Sequence, residues 1–482
     1  MPQPSNTAVL IWGNQLSAEY NSALAAPPKA QVIMIESTKM CRKYPYHKQK
    51  IRFILSSMRE FAQKLTQEGR KVHYVKLEDG FEGFYDALEH LSQEHSIDKI
   101  VAMESSDRKP STKLREWCET MGLEVDITAN SLFLTSKDEF ADWADGQKSL
   151  KMENFYRWQR QRLNILMDSD GPLGGRWNYD QDNRKPLPSG YELPAIDFPA
   201  PTNISQEVTK LVEHRFADHP GSLETYWLPV NHEQAHAWLD SFIDNRLEDF
   251  GAYEDAMAKG QPFLNHSALS AMLNVGLLHP GDIVNTISRA RCSLNSKEGF
   301  IRQVIGWREF MHQLYHYKDE TWIESNYFGF TKDLEEEWWQ LQATKDEPPI
   351  KDVLKRLDQY GYSHHIERLM VLGNFMLLSE YKPQSVYDWF MSMYVDAYEW
   401  VMVPNVIGMS QYADGGIDNG GFATKPYISG TNYLQKMGRW WPSQSRAKDS
   451  EWTTMYWDFL KNNKSKLINN HRLRPLYYRL KG

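Results

Sequence analysis

The chain has 482 residues, of which 41% are hydrophobic and 24% are charged, and its formal net charge at pH 7 is −8. This length predicts two or three domains, and no apolar stretch approaches the ~18 residues of a membrane span, which argues against a protein that crosses a bilayer. The start of the chain lacks a basic signal region, and its three widely separated cysteines do not suit a disulfide framework, so we predict a cytoplasmic protein.

The first part of the chain alternates strand-like and helix-like segments. Five β-branched or apolar runs predict strands: Ala8–Gly13, Gln31–Glu36, Lys71–Val75, Lys99–Glu104 and Glu124–Thr128. Amphipathic stretches such as Lys48–Gln67 and Gly83–His95 predict helices between them. We therefore predict an N-terminal α/β domain with a doubly wound parallel sheet over residues 1–134. The turn after the first strand lacks the Gly-x-Gly-x-x-Gly fingerprint, which argues against a dinucleotide at this position.

Regularity falls between residues 135 and 230, where several glycines and prolines predict a long interdomain connector. Almost every later segment has helical periodicity, and the clearest predicted helices are His232–Phe250, Gln303–His316, His364–Leu378, Val386–Trp400 and Tyr456–Lys464. We predict an all-helical domain over residues 231–482.

Three arginines lie close together in the predicted connector. Arg157, Arg160 and Arg162 surround Trp158, and a basic cluster beside an aromatic ring can line a nucleic-acid groove. The alternative is an ordinary solvated basic face, which the negative net charge of the chain favours.

Two adjacent histidines, His364 and His365, lie in a segment compatible with a helix. Imidazole changes its charge near neutral pH, so the pair could carry proton transfer. Adjacent helical residues point about 100° apart, which prevents both from gripping one metal ion in the usual i, i+4 way. The alternative interpretation is one core histidine and one surface histidine.

One pattern fits a zinc protease, and we decline it. His232-Glu233-Gln234-Ala235-His236 matches His-Glu-x-x-His, with Glu254 available as a third ligand. However, Asn231 looks like a helix N-cap, which would place His232 in the first turn rather than in the middle of a helix. His312 and His316, which follow Glu309, have the same i, i+4 spacing, and we also decline them as zinc ligands.

Several motifs resemble one flavoprotein superfamily. The segment from Glu298 to Phe310 resembles the flavin-site helix of photolyases and cryptochromes, and the segment from His266 to Pro280 resembles their phosphate-binding turn. Further stretches are similar to the iron-sulfur bacterial cryptochrome and photolyase group, whose repair members act on (6-4) photoproducts: Ser149–Arg157, Gly174–Asp180, Asp396–Met409, Tyr412–Gly416 and the His364-His365 run. The resemblance covers essentially the whole chain.

This resemblance implies a photolyase/cryptochrome fold, in which the α/β domain carries an antenna and the helical domain holds FAD. It implies a monomer whose partner is UV-damaged DNA and which is associated with the nucleoid when it is bound to DNA. It also implies that the antenna is 6,7-dimethyl-8-ribityllumazine. Site residues follow from it: His365, or His364 as second choice, for proton transfer; Ser267, Leu269, Ser270, Gln303, Trp307, Arg308, Asp396, Glu399 and Asn405 for FAD; Asn14, Gln15 and Glu36 for the antenna; Trp389, Trp338 and Trp339 for electron transfer; Arg157, Arg160 and Arg162 for DNA.

The sequence departs from this group at the iron-sulfur cluster. The group ligates its cluster with four cysteines, whereas the corresponding stretches here, Pro348–Val353 and Gly438–Thr454, contain none. A cluster requires thiolates, so we predict that it is absent. Trp440, Trp441 and Trp452 crowd the second stretch, and we interpret them as hydrophobic fill for the vacated volume.

The sequence thus predicts a light-dependent (6-4) photoproduct repair enzyme. The main alternative is a cryptochrome-type blue-light photoreceptor without repair activity, because both would use the same flavin. A third possibility is a light-independent flavoprotein or a plain nucleic-acid-binding scaffold. The histidine pair and the arginines favour repair, and the loss of the cluster favours neither.

Overall fold

The computed structural model describes residues 6–26, 30–342 and 346–479. The chain divides into two compact units, each assembled from three separate stretches. The first unit comprises Met1–Ser136, Asp197–Asp240 and Leu269–Asn285, and the second comprises Lys137–Ile196, Ser241–Ala268 and Thr286–Gly482. The predicted connector, residues 135–230, therefore supplies residues to both units instead of forming a segment of its own.

The first unit is built on a five-stranded parallel sheet. Its strands are β1 (Thr7–Leu10), β2 (Gln31–Ile35), β3 (Val72–Val75), β4 (Lys99–Met103) and β5 (Glu124–Thr128). Their order is β3-β2-β1-β4-β5, and every neighbouring pair is parallel. The doubly wound sheet is thus confirmed, with all five predicted strands present. β2 is buried along its whole length, as expected for an inner strand of a parallel sheet.

Eleven α-helices lie in the described part of the chain up to residue 289. They are Thr38–Cys41, Lys48–Gln67, Phe84–Glu94, Arg108–Met121, Lys137–Asp145, Met152–Leu163, Asn203–Arg215, His232–Asn245, Leu247–Tyr253, Ser270–Val275 and Pro280–Arg289. In the first unit the Asn203–Arg215 helix packs on the Lys48–Gln67 helix, where Val208 and Val212 join Ile51 and Leu55 in one apolar cluster.

The rest of the second unit is also helical. Its α-helices are Leu294–Ile301, Glu309–Tyr317, Glu336–Trp339, Pro348–Tyr360, Asn374–Leu378, Pro383–Met393, Glu399–Met402, Thr431–Gly438, Gln444–Lys448, Glu451–Asn462, Lys464–Leu467 and Arg474–Arg479. A two-residue hairpin, Met167–Asp168 with Gly171–Pro172, is its only described strand pair. Among the described helices we find none that combines the length and the apolar character needed to cross a bilayer.

Three segments of the second unit are π-helical. We name them the first π segment (Arg302–Arg308), the second π segment (Glu367–Gly373) and the third π segment (Val403–Ser410). The sequence predicted helices over Gln303–His316 and His364–Leu378. The first and second π segments show that part of each run is π-helical rather than α-helical. The predicted helix His232–Phe250 is likewise interrupted, because Arg246 leaves helical geometry at φ −134°.

Candidate active site

All three π segments carry or adjoin predicted site residues. The first carries the predicted flavin contacts Gln303, Trp307 and Arg308, and the third carries the predicted flavin contact Asn405. The second begins two residues after the predicted catalytic residue His365. π-Helical turns are rare, occur mostly as single turns inside α-helices, and are frequently found at functional sites. Their clustering in one unit points to a site built in this part of the chain.

Two glycines allow close packing around these segments. A Cβ atom on Gly373 would lie 2.1 Å from the Ser410 hydroxyl, so the second and third π segments could not pack as they do with a larger residue. Gln411 reinforces this contact by donating from its side chain to the Gly373 carbonyl at 3.1 Å. In the first π segment, a Cβ atom on Gly306 would lie 3.2 Å from the Tyr156 ring.

The predicted flavin contacts of the first π segment lie on a half-buried surface. Gln303 donates to the Gly299 carbonyl at 3.4 Å, and Trp307 is half-buried. Burial lowers the pKa of Arg308 to about 10, against the opposing effect of Glu309 at 3.2 Å. Of the predicted phosphate-binding residues, Ser267 belongs to the second unit, whereas Leu269 and Ser270 belong to the first.

A buried ion pair that the sequence did not reveal joins the second π segment to Asp396. Arg368 binds Asp396 through two nitrogens, at 2.9 and 3.0 Å. Burial acts to lower the pKa of Arg368, and the Asp396 carboxylate outweighs it, so this pKa lies above its ordinary value. Nearby, Tyr315 donates to Glu399 at 2.6 Å, and Asn405 donates to the Val401 carbonyl at 2.7 Å. Asp396 is therefore held in place by a charged partner.

The two predicted histidines have separate environments, as the sequence indicated. The side chain of His365 is 48% exposed, and its Nε2 lies 3.8 Å from Asp255 Oδ1. His364 is buried, and neither of its ring nitrogens makes a hydrogen bond within the described residues. Burial, followed by the neighbouring His266 and His365, lowers the pKa of His364 well below its ordinary value. His365 is thus the accessible member of the pair.

A third histidine, which sequence reasoning missed, completes this cluster. His266 stacks on His364 with ring centroids 4.2 Å apart and planes 9° apart. Its two nitrogens lie 3.1 Å from the Phe263 carbonyl and 2.9 Å from the Glu254 carbonyl. Burial and His365 lower the pKa of His266 to about 3, so this ring is neutral. Ligand nitrogens of all three histidines lie within 4.8 Å of one another. The rings of His266 and His364 are parallel, so their lone pairs lie in parallel planes and do not converge on one metal ion, whereas the His365 ring is tilted by 66° from His266.

A charged network centred on Arg302 anchors the first π segment. Arg302 pairs with Asp180, with Glu254 at 3.3 Å and with Glu298 at 3.5 Å. Glu298 also accepts from the Tyr179 backbone N–H at 2.9 Å. Burial acts to lower the pKa of Arg302, but its three carboxylates raise it above the ordinary value. The network brings residues of the Gly174–Asp180 and Glu298–Phe310 motifs into contact.

We expect Glu254 to make stability fall as pH rises. Burial, reinforced by Asp255 and Asp180 against the opposing Arg302, raises the pKa of Glu254 to about 8, whereas an unfolded chain gives about 4.3. The folded protein therefore holds a proton that the unfolded chain releases, so this contribution is complete below about pH 4.3 and is lost as pH approaches 8. Between pH 6.5 and 8 it amounts to on the order of 2 kcal/mol.

Urea unfolding at pH 6.5 and pH 8 measures this effect. The difference in unfolding free energy between the two pH values should shrink in Glu254→Gln and stay unchanged in Glu233→Gln, which alters an exposed residue. Equal pH dependence in wild type and Glu254→Gln would show that Glu254 is ionised in the folded protein.

Two of the predicted electron-transfer residues lie together. Trp389 donates from its indole N–H to the Trp338 carbonyl at 2.8 Å, and their ring centroids are 5.8 Å apart. Both are fully buried, whereas Trp339 is half-buried.

The three predicted DNA-contacting arginines differ in accessibility. Arg157 is 45% exposed and pairs with Glu153 at 2.9 Å, and Arg162 is 23% exposed and pairs with Glu139 at 2.6 Å. Arg160 is buried and donates to the carbonyls of Ile165, Leu166 and Trp177. Its guanidinium therefore fixes the chain around the short hairpin, which argues against the predicted DNA contact for this residue.

The predicted antenna residues lie at the carboxyl edge of the first unit's sheet. Gln15 donates to the carbonyls of Met103 at 3.0 Å and Glu104 at 2.9 Å, between β1 and β4. The strand order reverses direction there, and ligands of doubly wound folds bind at such a point. Both oxygens of Glu36 are engaged by Arg59, and Tyr74 and the Leu77 N–H add further donors. Gln15 and the half-buried Asn14 are thus better placed for a ligand than Glu36.

The declined zinc motif begins a helix, as predicted. Asn231 accepts from the Gln234 N–H at 3.0 Å, which is an N-cap interaction, and the helix starts at His232. Burial lowers the pKa of His232 to about 4, while His236 is exposed.

The three tryptophans of the stretch Gly438–Thr454 lie in the interior of the second unit. Trp440, Trp441 and Trp452 are all buried. Trp440 donates to Asp352 at 3.1 Å, and Trp452 donates from its ring to the Ser429 carbonyl at 3.2 Å. These contacts support the interpretation of structural packing.

We expect Trp441→Ala to destabilise the protein by about 3–5 kcal/mol, because removing a buried indole leaves a cavity. Trp457→Ala, at a half-buried position of the same region, should cost less. Urea unfolding of both variants tests the comparison, and a neutral Trp441→Ala would show that this side chain does not fill a packed volume.

Comparisons with known proteins agree with these features. The family described as deoxyribodipyrimidine photo-lyase-related protein matches residues 9–227. A protein named (6-4) photolyase, from Agrobacterium fabrum, is 38% identical over 97% of this chain and 94% of its own length. A bacterial class III photolyase structure from Agrobacterium tumefaciens has a TM-score of 0.59 at 16% identity, covering 97% of this chain and 92% of that one. A Synechocystis cryptochrome structure also gives 0.59, at 15% identity, with coverages of 95% and 90%. The chain belongs to the photolyase and cryptochrome superfamily, in its deoxyribodipyrimidine photolyase-related family.

Proposed function

We propose that this protein is a light-dependent DNA repair flavoprotein that reverses (6-4) pyrimidine-pyrimidone photoproducts. The observation that carries the proposal is the half-exposed His365, backed by two buried histidines in a unit that also holds the three π segments. The (6-4) photolyase of Agrobacterium fabrum, at 38% identity over nearly the whole chain, supports this lesion class.

The residues of the second unit suit FAD. Gln303, Trp307 and Arg308 offer a donor, a ring and a cation on one π segment, and the Arg368–Asp396 pair offers a fixed charge distribution beside another. Ser267 would take a phosphate, with Glu399 and Asn405 beside the ring system. Leu269 and Ser270, which belong to the first unit, stay sequence-based predictions for phosphate binding. When bound and reduced, FAD supplies an electron on excitation by light.

His365 would hold and move a proton at Nε2. Reversal of a (6-4) photoproduct requires a hydroxyl group to return from one base to the other, and a charged imidazole can donate a proton and take one back. The Asp255 carboxylate lies 3.8 Å from Nε2 of this accessible histidine. The buried His364 and His266 stay neutral and hold the accessible ring from behind.

UV-damaged DNA would reach this site by extrusion of the lesion from the duplex. A damaged, poorly stacked pair costs less to flip than an intact one. Arg157 and Arg162 are accessible enough to meet phosphates, provided that they exchange their carboxylate partners for DNA. We propose a monomer for this activity.

The antenna would be 6,7-dimethyl-8-ribityllumazine, held at the sheet edge near Asn14 and Gln15. We also propose that the protein has no iron-sulfur cluster. The chain has three cysteines, of which Cys41 and Cys118 belong to the first unit and Cys292 to the second. A cubane cluster ordinarily uses four thiolates.

Incubation with lesion-containing oligonucleotides tests the proposal. Purified protein should restore the bases of a (6-4) oligonucleotide in blue light and not in darkness, while a cyclobutane-dimer oligonucleotide stays unrepaired, as followed by chromatography. Absence of FAD from the denatured protein would contradict the flavoprotein assignment. Reversible flavin photochemistry without repair of either lesion would favour the cryptochrome-type photoreceptor, whose fold this chain shares.

A further inference from the structure

A tyrosine lies directly beyond the Trp389–Trp338 pair. Trp338 donates from its indole N–H to the Tyr381 oxygen at 3.3 Å, and the two ring centroids are 6.3 Å apart. The Tyr381 hydroxyl in turn donates to Glu335 Oε2. A continuous line of contacts therefore runs from the buried indole of Trp389 through Trp338 and Tyr381 to Glu335, whose side chain is 36% exposed.

The backbone fixes this arrangement. Lys332 and Tyr381 form a parallel β-bridge, and the Lys382 N–H donates to the Lys332 carbonyl at 2.7 Å. The Lys332 ammonium lies 4.3 Å from the Tyr381 ring centroid and 2.7 Å from Glu335. As a result Tyr381 is only 2% exposed, although its proton acceptor reaches water.

The charges around the tyrosine suit oxidation coupled to proton release. Burial acts to raise the pKa of Glu335, but Lys332 and Tyr381 outweigh it, so this pKa lies below its ordinary value and the carboxylate is ionised at neutral pH. Burial and Glu335 raise the pKa of Tyr381 above its ordinary value, so the phenol keeps its proton until it loses an electron. The hydrogen bond to Glu335 gives that proton a place to go.

We infer that Tyr381 is the terminal electron donor of the Trp389–Trp338 relay and that Glu335 accepts its proton. This inference rests on the bound flavin of the proposed function. Before that flavin is fully reduced, it would, when excited by light, serve as the oxidant that takes one electron from Trp389, and so move toward the reduced form that repair uses. Trp338 then refills Trp389 and becomes a radical cation. Tyr381 returns one electron to Trp338 while its O–H bond breaks and the proton passes to Glu335 Oε2, which leaves neutral Trp338, a neutral tyrosyl radical and protonated Glu335.

Two other routes from the tryptophan pair are less suited. Tyr394 lies 6.2 Å from Trp389 between ring centroids, but its hydroxyl meets the Ser363 hydroxyl, and the Arg368 cation lies 4.1 Å from its ring. A nearby positive charge disfavours removal of an electron. Trp452 is separated from Trp338 by Phe375, and its indole N–H meets a backbone carbonyl rather than a carboxylate.

Flash photolysis of the flavin-loaded full chain tests the inference by electron paramagnetic resonance and transient absorption. Wild type should show a neutral tyrosyl radical, and Tyr381→Phe should lose it and show a tryptophanyl radical instead. Glu335→Gln should lower the tyrosyl yield, because it removes the proton acceptor but keeps the side-chain size. The matched control, Tyr394→Phe, should retain the tyrosyl signal.

The outcomes separate this inference from the proposed function. A wild type that shows only tryptophanyl radicals, or a tyrosyl signal that survives in Tyr381→Phe, overturns the inference even if repair is robust. An unchanged tyrosyl yield in Glu335→Gln overturns the role of Glu335. If wild type forms the Tyr381 radical but repairs no lesion, the proposed function fails and the inference stands. A soluble ruthenium photo-oxidant allows the same comparison of wild type and Tyr381→Phe without relying on the flavin.

Discussion

His365→Ala should lower (6-4) repair by a factor of at least ~10² while leaving FAD content, photoreduction and lesion binding nearly intact, because general acid-base roles typically contribute that much. The side chain is 48% exposed, so its removal leaves no large cavity. Single-turnover repair under saturating light, followed by chromatography, gives the rate, and absorbance of the bound flavin gives its content.

Variants of two other histidines show whether the effect is specific. His364→Ala should cost fewer decades of repair, through positioning, and should also destabilise the protein because it removes a buried ring from the stack on His266. His236→Ala, which changes an exposed histidine, should repair as wild type does. Full repair by His365→Ala would remove the assignment, and a loss confined to His364→Ala would transfer the proton role to the buried neighbour.

The second large effect concerns the buried ion pair beside the flavin candidates. Arg368→Ala should destabilise the protein by about 3–5 kcal/mol, because it leaves the buried Asp396 carboxylate without this counter-ion. Bound FAD should fall as well, since Asp396 would no longer be held in place. Urea unfolding and flavin absorbance after gel filtration measure both effects.

A double-mutant cycle keeps this prediction testable even if the single variant folds poorly. The double variant Arg368→Ala/Asp396→Ala should be more stable than Arg368→Ala alone, because the second change removes the buried carboxylate that the first change leaves without a counter-ion. Arg157→Ala, which breaks a largely exposed pair with Glu153, should change stability by only about 0–1 kcal/mol. Additive effects of the two buried changes would show that Arg368 and Asp396 do not stabilise each other.

The local spacing of apolar residues was sufficient to predict most of the helices and strands. The Lys48–Gln67 helix has the predicted ends, because its apolar spacing is regular and its burial follows from that spacing alone. The break at Arg246 could not be predicted in the same way. The guanidinium of Arg246 donates to the His266 carbonyl at 2.8 Å, a contact between residues 20 positions apart that periodicity does not record.

The candidate site shows the same limit. His364 and His365 are adjacent in sequence and were found by their chemistry, whereas His266 joins them only through folding, about a hundred residues away in the chain. Arg368 and Asp396 likewise meet across 28 positions. Each π segment is short and differs from an α-helix in its i→i+5 hydrogen bonds, so the hydrophobic period of the surrounding sequence hardly reveals it.

Because the first unit is assembled from three stretches of the chain, a shortened protein needs all three stretches to keep the packing of that unit. A fragment that stops after residue 136 would keep the whole sheet but lose the Asn203–Arg215 helix. The apolar side of the Lys48–Gln67 helix, including Ile51 and Leu55, would then face water. Exposed apolar patches of this kind promote aggregation, so a fragment built on the sheet should retain residues 197–240 and 269–285, joined by designed linkers.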